Sequence, residues 1–339
     1  MKLIERIEQL AKIGPRVTGS PEEAIGKSMV INWMLEDGLT VETDEFNNII
    51  GRTRAEGKRV VTGSHLDTVA TAGKYDGVLG VLAGLEAARL NPELPIEVVV
   101  FHDEENTMSG SIGYCSKKPD IQAFLELHVE QGPVLDVQGF DIGAVTGIVG
   151  QRRCSFTVTG QENHAGTTPM NMRDDALYKA STMVVYVSDL AEEMYDSLVA
   201  TVGQLDVSPN AFSVIPGRVD LTLQVRDIYV NTMEEFVKNI AETFDLRYKI
   251  MHSSEPTMCD TDIITTIADV SHSLGLKSIM MPSRASHDAQ NFTWCPMGMI
   301  FVPSIGGISH SPLEETTSEM CMNGTKVLTE TIKRIHYAQ

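Results

Sequence analysis

The chain has 339 residues, of which 42% are hydrophobic and 22% charged, a composition typical of a globular protein with room for two domains. It carries 27 basic and 46 acidic residues, and the resulting net charge of −19 would repel nucleic acids and anionic membranes. Composition therefore argues against both as partners.

Cysteine usage and the N-terminal segment bear on the cellular compartment. The five cysteines stand singly, without a CxxC pair, and their odd number argues against a disulfide framework. The segment MKLIERIEQLAKIG has the pattern of an amphipathic helix rather than a signal peptide, and no apolar run reaches the roughly 18 residues of a membrane span. We therefore expect a cytoplasmic protein.

The first part of the chain alternates helices and strands. Helical periodicity predicts helices over about residues 2–12 and 21–37, and β-branched runs predict strands over 39–44, 47–53 and 58–63. A helix over 77–90 then leads to two apolar runs, IEVVVF and IQAFLEL. Strands that are apolar on both faces indicate a sheet covered by helices, so this part is predicted to be an α/β core.

The pattern changes after about Gly147. Two long alternating runs, QRRCSFTVTG and SVIPGRVDLTLQVRD, accompany helices near 173–196 and 231–246, which predicts an independent α+β unit. The α/β pattern resumes with a helix over 261–274, the strand MGMIFV and a closing helix over about 316–336. We therefore expect a discontinuous catalytic domain, 1–147 and 256–339, with a domain of residues 148–255 inserted into it.

The stretch GSHLDTVATAGKYDGVLGVLAGLE carries the first candidate site residues. His65 and Asp67 lie two residues apart at a strand end, so both side chains leave the same face, and Asp67 could accept a hydrogen bond from the His65 ring and fix its tautomer. Asp76 follows in a glycine-flanked turn at the start of the next helix. These residues are predicted to bind a metal ion, although a set of polar turn caps would give the same pattern.

Further histidines and acids follow other strands. IEVVVF is followed by Glu104 and Glu105, and IQAFLEL by His128. Polar groups at the ends of several core strands mark the ligand-binding edge of such a sheet. Histidine and carboxylate ligands without cysteine suit Zn, Mn, Co or Ni, and there are enough of them for two ions sharing a bridging carboxylate, while a single-ion site is also compatible.

Motifs along nearly the whole chain carry a family resemblance. They are, in order, GSHLDTV, KYDGVLGV, DEE, ELHVEQGPVL, NHAGTTPM, NAFSVIPGRV with VRD, and SHDAQ followed by FVPSIGGISHSPLE. The chain resembles the M20 metallopeptidase clan, and within it the amidase branch of N-carbamoyl-L-amino acid hydrolases, β-ureidopropionases and allantoate amidohydrolases. ELHVEQGP together with NHAGTTPM is specific to this branch.

The resemblance implies a fold and a metal centre. The fold is an aminopeptidase-like catalytic domain, with helices around a mixed sheet, plus an inserted ferredoxin-like lid and dimerisation domain. The centre holds two divalent ions per subunit, Zn or Mn with Co or Ni as alternatives. His65, Asp76 and His128 would surround one ion, and Asp76, Glu105 and His310 the other.

The resemblance also implies catalytic roles. Asp67 would orient His65, Glu104 would be the general base that deprotonates the attacking water, and His164 would stabilise the oxyanion across a homodimer interface. His164 could instead be a histidine that caps its own loop. The residues expected to face the substrate are Gln151, His164, Ser213, Arg226 and His287. For Arg226 a surface salt bridge is the competing interpretation, and for His287 a hydrogen bond within its loop.

Several positions depart from the family pattern. Ser213 replaces a usual Asn, and Gln224 replaces an Asp two residues before Arg226. Smaller changes occur at Ala72, Asn106, Met108 and Arg284 to Ser286, and the segment 106–125 is short. These changes alter the expected pocket near the substrate carboxylate and the active-site rim.

The expected function is that of a two-metal amidohydrolase. It would remove the carbamoyl group from an N-carbamoyl-L-amino acid or related ureido acid. An aminoacylase or dipeptidase activity is the alternative, which the Ser213 change and the short segment would favour. A metal-binding protein without turnover is the third hypothesis, and the intact Glu104 argues against it, because binding alone requires no base.

Overall fold

Residues 2–194 and 197–338 are described in a computed structural model of the chain, and they form two compact units. The first unit comprises Met1–Ile148 and Met258–Gln339, and the second comprises Val149–Thr257. The second unit is therefore inserted into the first. Its role as a lid or dimerisation domain stays a prediction.

The helices lie close to the predicted positions. Those described are α1 (Leu3–Ala11), α2 (Pro21–Glu36), α3 (Val78–Leu90), α4 (Ser109–Ser116), α5 (Val134–Gln138), α6 (Ala176–Met194), α7 (Val230–Thr243), α8 (Thr261–Ser273) and α9 (Ser318–Tyr337). Residues 195 and 196, at the end of one predicted helix, lie outside the described residues. The sequence analysis did not predict the short helices α4 and α5.

The strands were predicted less completely than the helices. Those described are β1 (Thr40–Thr43), β2 (Ile49–Arg52), β3 (Arg59–His65), β4 (Ile96–Phe101), β5 (Ile121–Val129), β6 (Ile142–Ile148), β7 (Gly150–Thr159), β8 (Asn163–His164), β9 (Val199–Ser208), β10 (Val214–Ile215), β11 (Arg218–Asp227), β12 (Tyr248–Ser254), β13 (Thr257–Met258), β14 (Ser278–Ser283) and β15 (Met297–Val302).

A mixed sheet forms the core of the first unit. Its strands lie in the order β1-β2-β4-β3-β5-β15-β6, with β14 also pairing β6. The central pairs β4-β3, β3-β5 and β5-β15 are parallel, whereas β15 and β6 pair antiparallel. Every residue of β4 and β15 is buried, as expected for strands covered on both faces. The prediction of an α/β fold with a mixed sheet is confirmed.

Local sequence signals explain how α2 and α3 begin. Ser20 caps α2 by accepting a hydrogen bond from the backbone N–H of Glu23, and Pro21 occupies the first helical position. Helix α3 begins after Gly77, whose positive φ of 66° suits a residue without Cβ. Most of α3 is buried, and it packs against β3, β4 and β5. This helix fixes the turn that carries Asp76.

The second unit has an antiparallel sheet in the order β12-β7-β11-β9. With α6 after β7 and α7 after β11, the chain follows a strand, helix, strand, strand, helix, strand path, the ferredoxin-like arrangement. Alternate residues of β7 and β11 are buried, and Phe156, Leu221 and Phe236 belong to the core of this unit. The second sheet face is polar.

The run SVIPGRVDLTLQVRD was expected to form one strand, but it does not. It divides into β10 and β11, and Pro216 and Gly217 lie between them. Proline lacks the N–H needed for a sheet ladder, which explains the interruption. Within the described ranges, no helix combines the length and apolar character needed to cross a membrane.

Candidate metal centre

The predicted metal ligands of the first unit meet at one edge of the mixed sheet. Strands β4, β3 and β5 are parallel neighbours, so their carboxyl ends lie side by side. His65 ends β3, Glu104 and Glu105 follow β4, and His128 lies near the end of β5. Asp76 reaches the same place from the turn before α3.

Two backbone carbonyls orient the histidine rings. The Nδ1 atom of His65 lies 2.9 Å from the carbonyl oxygen of Asp67, and Nδ1 of His128 lies 2.9 Å from that of Val129. A carbonyl can only accept, so both Nδ1 atoms carry the proton. In the neutral form of each ring, Nε2 then has its lone pair available for a ligand. His128 Nε2 also accepts a hydrogen bond from the Gly77 N–H, at 3.3 Å.

Gly77 is required by the closeness of the His65 ring. A Cβ at this position would lie about 2.5 Å from ring atoms of His65. That separation is far below a van der Waals contact, and the positive φ of Gly77 adds backbone strain for any other residue. The glycine therefore allows the turn to bring Asp76 against the histidines.

Asp76 lies between two groups of potential ligands. Its Oδ1 atom is 3.2 Å from His128 Nε2 and 3.7 Å from His65 Nε2. Its Oδ2 atom is 3.2 Å from His310 Nε2, which in turn is 3.6 Å from Glu105 Oε2. The potential ligand atoms of each triad lie within 4.8 Å of one another. The two oxygens of one carboxylate thus face two separate triads.

These residues fit a pair of divalent ions. Imidazole nitrogens and carboxylate oxygens suit Zn and Mn, and a shared carboxylate between two triads is the arrangement that two neighbouring ions require. His65, Asp76 and His128 are buried, whereas the side chain of His310 is 48% exposed. An ion on the His310 side would therefore be the more accessible one.

The carboxylates perturb the histidine pKa values. Burial lowers the pKa of His128, but its hydrogen bond with Asp76 and the nearby acids outweigh burial and raise that pKa to about 9. The hydrogen bond with Asp76 and the charge of Glu105 also raise the pKa of His310 to about 9, against the effect of burial. Protons and divalent ions compete for these nitrogens, so ion binding at this centre weakens as pH falls.

Glu104 lies beside the first triad without belonging to it. Its Oε2 atom is 3.7 Å from His65 Nε2, and the residue is 8% exposed. Burial raises the pKa of Glu104 well above its usual value; His65 opposes this shift, and Asp288 and Glu105 add to it. A carboxylate with a raised pKa can take a proton from water and later release it, which is the behaviour of a general base.

The carboxylate of Asp67 does not make the predicted hydrogen bond to His65. Its Oδ1 atom lies 3.9 Å from His65 Nδ1, which is held by the backbone carbonyl of Asp67 instead. The carboxylate accepts hydrogen bonds from the backbone N–H groups of Glu104 and Glu105, at 3.3 and 3.1 Å, and from the Thr18 hydroxyl. Asp67 therefore positions the acidic pair directly and His65 through its backbone.

Two residues around Asp76 were missed by the sequence analysis. Glu314 Oε1 accepts hydrogen bonds from the N–H groups of Tyr75 and Asp76, at 2.7 and 3.2 Å. Gln131 Nε2 donates to Asp76 Oδ2 at 3.0 Å. Both lie inside quoted motifs, HSPLE and VEQGP, but their partners are distant in sequence, so only the folded chain shows the contacts.

A second layer of buried polar residues lies behind the histidines. Glu126 accepts hydrogen bonds from the Ser64 hydroxyl at 2.7 Å and from the Ala289 N–H at 3.0 Å. Asp288 is fully buried, and burial raises its pKa well above the usual value, helped by the charge of Glu126. Glu126 is the acidic residue of the otherwise mostly apolar run IQAFLEL, and this unusual position could have identified it from the sequence.

His287 belongs to this second layer. It is 1% exposed, its Nε2 atom lies 2.8 Å from the Ser283 hydroxyl, and its ring centre lies 4.6 Å from that of His128. Burial, with the charge of His128, lowers the pKa of His287 well below its usual value. This arrangement supports His128 by packing, and direct contact between His287 and a substrate stays a prediction.

The remaining predicted substrate residues lie in the second unit, in two groups. Gln151 and Arg226 are opposite each other in the ladder between β7 and β11, so their side chains share the polar sheet face. His164 ends the short exposed strand β8, and Ser213 directly precedes β10, which pairs with β8; the Ala165 N–H donates a hydrogen bond to the Ser213 carbonyl at 2.9 Å.

The His164 ring has a defined hydrogen-bond direction. Its Nδ1 atom accepts a hydrogen bond from the Gly166 N–H at 2.9 Å. In the neutral ring the proton must then be on Nε2, which becomes a donor. His164 therefore does make the contact within its own loop that the alternative interpretation expected. The same contact leaves the Nε2 hydrogen as a donor.

Comparisons with known proteins agree with this fold and identify the family of the chain. Residues 61–334 match the model of peptidase family M20/M25/M40. An N-carbamoyl-L-amino acid amidohydrolase of Geobacillus stearothermophilus is 33% identical over 98% of this chain and 97% of that protein. An allantoate amidohydrolase of Escherichia coli K12 is 32% identical over 92% and 90% of the two chains.

A solved structure is similar to this chain over nearly its whole length. It is an amidase of the hydantoinase/carbamoylase family from Burkholderia multivorans, with a TM-score of 0.88 and 30% identity over 99% of this chain and 97% of that one. The family match spans most of the sequence, a curated relative is similar over nearly the full length, and the solved structure has the same fold. The chain therefore belongs to the peptidase family M20/M25/M40.

Proposed function

We propose that this chain is a metal-dependent amidohydrolase that cleaves the carbamoyl C–N bond of an N-carbamoyl-L-amino acid or a related ureido acid. The observation that carries the proposal is the position of Asp76, whose two oxygens face two ligand triads beside Glu104. The names of the relatives supply the bond type.

The proposed centre holds two divalent ions, Zn or Mn, with Co and Ni as alternatives. His65, Asp76 and His128 would hold the first ion, and Asp76, Glu105 and His310 the second. When bound, the ions would supply Lewis acidity, polarising the carbamoyl carbonyl and lowering the pKa of water.

Glu104 is the proposed general base. Its carboxylate takes a proton from the attacking water and returns it to the leaving nitrogen, so that the ureido bond breaks and a carbamate is released as carbon dioxide and ammonia. The N–H groups of Glu104 and Glu105 are bonded to Asp67, which limits movement of the base. The reaction needs water as its only co-substrate.

The second unit is proposed to supply substrate contacts. His164 would donate its Nε2 hydrogen to the developing oxyanion, an interaction typically worth about 3–4 kcal/mol of barrier lowering. Arg226 would bind the substrate carboxylate through its planar guanidinium, with Gln151 and Ser213 as further polar contacts. The resemblance to the family supports these roles, as does the donor tautomer of His164.

We further propose a homodimer formed through the inserted unit and a cytoplasmic location. The proposed use of His164 across subunits supports the dimer. All five cysteines are free, which is consistent with a reducing compartment. Light scattering tests the dimer, and a monomeric mass at micromolar concentration would contradict it.

An aminoacylase or dipeptidase activity is the second candidate. The alignment with the Geobacillus stearothermophilus protein runs over 398 residues, whereas this chain has 339. The relative therefore has segments that this chain lacks. One proposed place is the short segment between Glu105 and Glu126, which contains α4, and its shortness would trim the rim of the active site. A trimmed rim would admit a different acyl group.

A matched substrate panel separates the two candidates. Protein loaded with Mn or Zn is incubated with N-carbamoyl, N-acetyl and dipeptide derivatives of the same amino acids, and with allantoate. Selective release of ammonia from the carbamoyl or ureido compounds is expected. Release of free amine from the acetyl or dipeptide compounds alone would favour the second candidate.

A further inference from the structure

Two arginines lie close together on the polar face of the second unit. Along β7 and β11 the side chains of Cys154, Phe156 and Leu223 are buried in the core that includes α6 and α7. Residues one position away point to the opposite face, and these include Arg153, Gln224 and Arg226. Gln224 pairs directly with Arg153 in the ladder, so Arg153 and Arg226 are diagonal neighbours, a spacing of about 7–8 Å.

The amide of Gln224 lies between the two guanidinium groups. With its oxygen turned towards Arg226, it accepts hydrogen bonds from both Nε and Nη2 of Arg226, each at 2.7 Å. In that orientation the atom of the amide that lies 3.5 Å from Arg153 Nη2 is its nitrogen, so Gln224 offers Arg153 no acceptor. The residue between the arginines is therefore neutral and does not cancel either positive charge.

Arg153 and its neighbour Arg152 differ in whether an acidic residue pairs with them. Arg152 lies on the buried face and pairs with Glu255 at 2.8 Å. Arg153 is exposed, and in the described part of the chain no carboxylate lies within the 4 Å of an ion pair with it. The side chains of Arg153 and Arg226 therefore place two positive charges side by side in a chain with a net charge of −19.

The two positive charges repel each other. Burial, with the charge of Arg153, lowers the pKa of Arg226. A bound anion that spans both groups would remove this repulsion and accept their hydrogen bonds. One carboxylate of such a molecule would contact Arg226, and a second carboxylate would give Arg153 the acidic partner that it lacks among the described residues.

We propose that Arg153 is a specificity-determining residue that binds a second carboxylate of the substrate. The proposal rests on the proposed function, in which Arg226 binds the first carboxylate. The substrate class is then the N-carbamoyl derivatives of acidic amino acids, or ureido diacids of similar size. A neutral side chain in place of the second carboxylate leaves Arg153 without a partner.

Matched substrates test this preference. N-Carbamoyl-L-aspartate and N-carbamoyl-L-glutamate are each compared with the asparagine or glutamine derivative, which has nearly the same shape without the second charge. The wild-type protein is expected to show a kcat/KM at least about tenfold higher for the diacids, mainly through KM. Equal values, or a preference for the amides, would overturn the proposal.

The variant Arg153→Gln assigns the preference to one residue. It should remove most of the advantage of the diacid while leaving kcat/KM for the neutral amide within about twofold. Lys249→Gln is the control, because Lys249 pairs with Ser155 and carries a positive charge on the same face. If Lys249→Gln reduced the diacid preference as much as Arg153→Gln, the effect would be one of general charge, and the proposal would be wrong.

Calorimetry separates this proposal from the proposed function. Binding of N-carbamoyl-L-glutamate is measured with the full-length wild-type protein and with Arg153→Gln. Tighter binding to the wild type, together with no ammonia release from any carbamoyl compound, would contradict the proposed function but support the anion site. Absence of binding, or equal binding by both proteins, would overturn the assignment of Arg153 even if ammonia is released.

Discussion

At the scale of single residues, two backbone carbonyls decide which nitrogen of His65 and His128 is available to an ion. The histidine and carboxylate motifs predicted which residues would meet, because strand ends of a parallel sheet lie side by side. The motifs did not predict how each ring is held. Asp67 was expected to contact the His65 ring through its carboxylate, but its backbone carbonyl makes that contact.

The residues that support Asp76 could not be predicted from the sequence either. Glu314 bonds the backbone of Tyr75 across 239 positions of the chain. Gln131 contacts Asp76 from a loop 55 residues away. Such contacts depend on how loops from different strands pack, and no local spacing encodes them.

Replacing the proposed base should separate chemistry from ion binding. Glu104→Gln keeps the size of the side chain but cannot take a proton, so kcat should fall by about 10²- to 10⁴-fold while the metal content stays unchanged. Ammonia release and elemental analysis measure the two quantities. Glu105→Gln is the matched control and should reduce metal content as well as activity. Wild-type turnover by Glu104→Gln would exclude it as the base.

At the scale of elements, long periodic segments were predicted well and short or interrupted ones were not. Helix α3 was expected over 77–90 and spans Val78–Leu90. The helices α4 and α5 have only eight and five residues, too short for a clear periodic signal. Strand β12 was missed because nearly all of its residues are exposed, which removes the alternation that marks a half-buried strand.

The turn before α3 depends on Glu314. Removing its carboxylate with Glu314→Ala leaves two buried N–H groups without their acceptor, which should lower the free energy of unfolding by about 2–3 kcal/mol. Denaturant unfolding of the ion-free protein measures this change. The neighbouring Glu315→Ala serves as the control because Glu315 is exposed, and it should change stability much less. Equal effects of the two variants would contradict the assigned role.

Helix α1 is attached to the end of α2 by an acidic residue whose effect depends on pH. Asp37 contacts Arg6 at 2.5 Å and Lys2 at 3.0 Å. Burial opposes ionisation, but these hydrogen bonds prevail and lower the pKa of Asp37. Its contribution to stability is therefore complete above the unfolded-state pKa of about 3.9 and is lost as pH falls through the lower folded-state pKa.

The variant Asp37→Asn tests this dependence. It leaves the nearly buried Arg6 without its charged partner, which should cost about 2–4 kcal/mol near pH 7. The difference from wild type should shrink as pH falls below about 4, as measured by urea unfolding at several pH values. Glu36→Gln, at an exposed neighbouring position, is the control. A difference that is independent of pH would show that the charge of Asp37 does not matter.

At the scale of the whole molecule, the change of sequence pattern near Gly147 lies close to Ile148, where the first of two compact units is interrupted by the second. Alternating strands and helices in a fixed order predict this architecture because each pattern suits one type of sheet. The substrate preference could not be predicted in the same way, because side chains such as those of Arg153 and Arg226 are distant in sequence and become neighbours only in the folded sheet.

Ion binding should stabilise the folded chain. Because the ligands come from β3, β5 and the loops after β4 and before α3, an ion links segments that separate on unfolding. Mn or Zn at about 100 times Kd should add about 2.7 kcal/mol for each of the two sites, which together should raise Tm by roughly 5 °C or more. Asp76→Asn should abolish most of this shift. An equal shift in wild type and Asp76→Asn would place the stabilising ions elsewhere.

The most direct test of the two-ion centre is a titration. Chelator-treated protein is supplied with increasing Mn while ammonia release from an N-carbamoyl-L-amino acid is followed. The proposed centre predicts negligible release without the ion and a rise that saturates near two equivalents per chain. Full release after chelation, or no release at any Mn concentration from any carbamoyl or ureido compound, would contradict it.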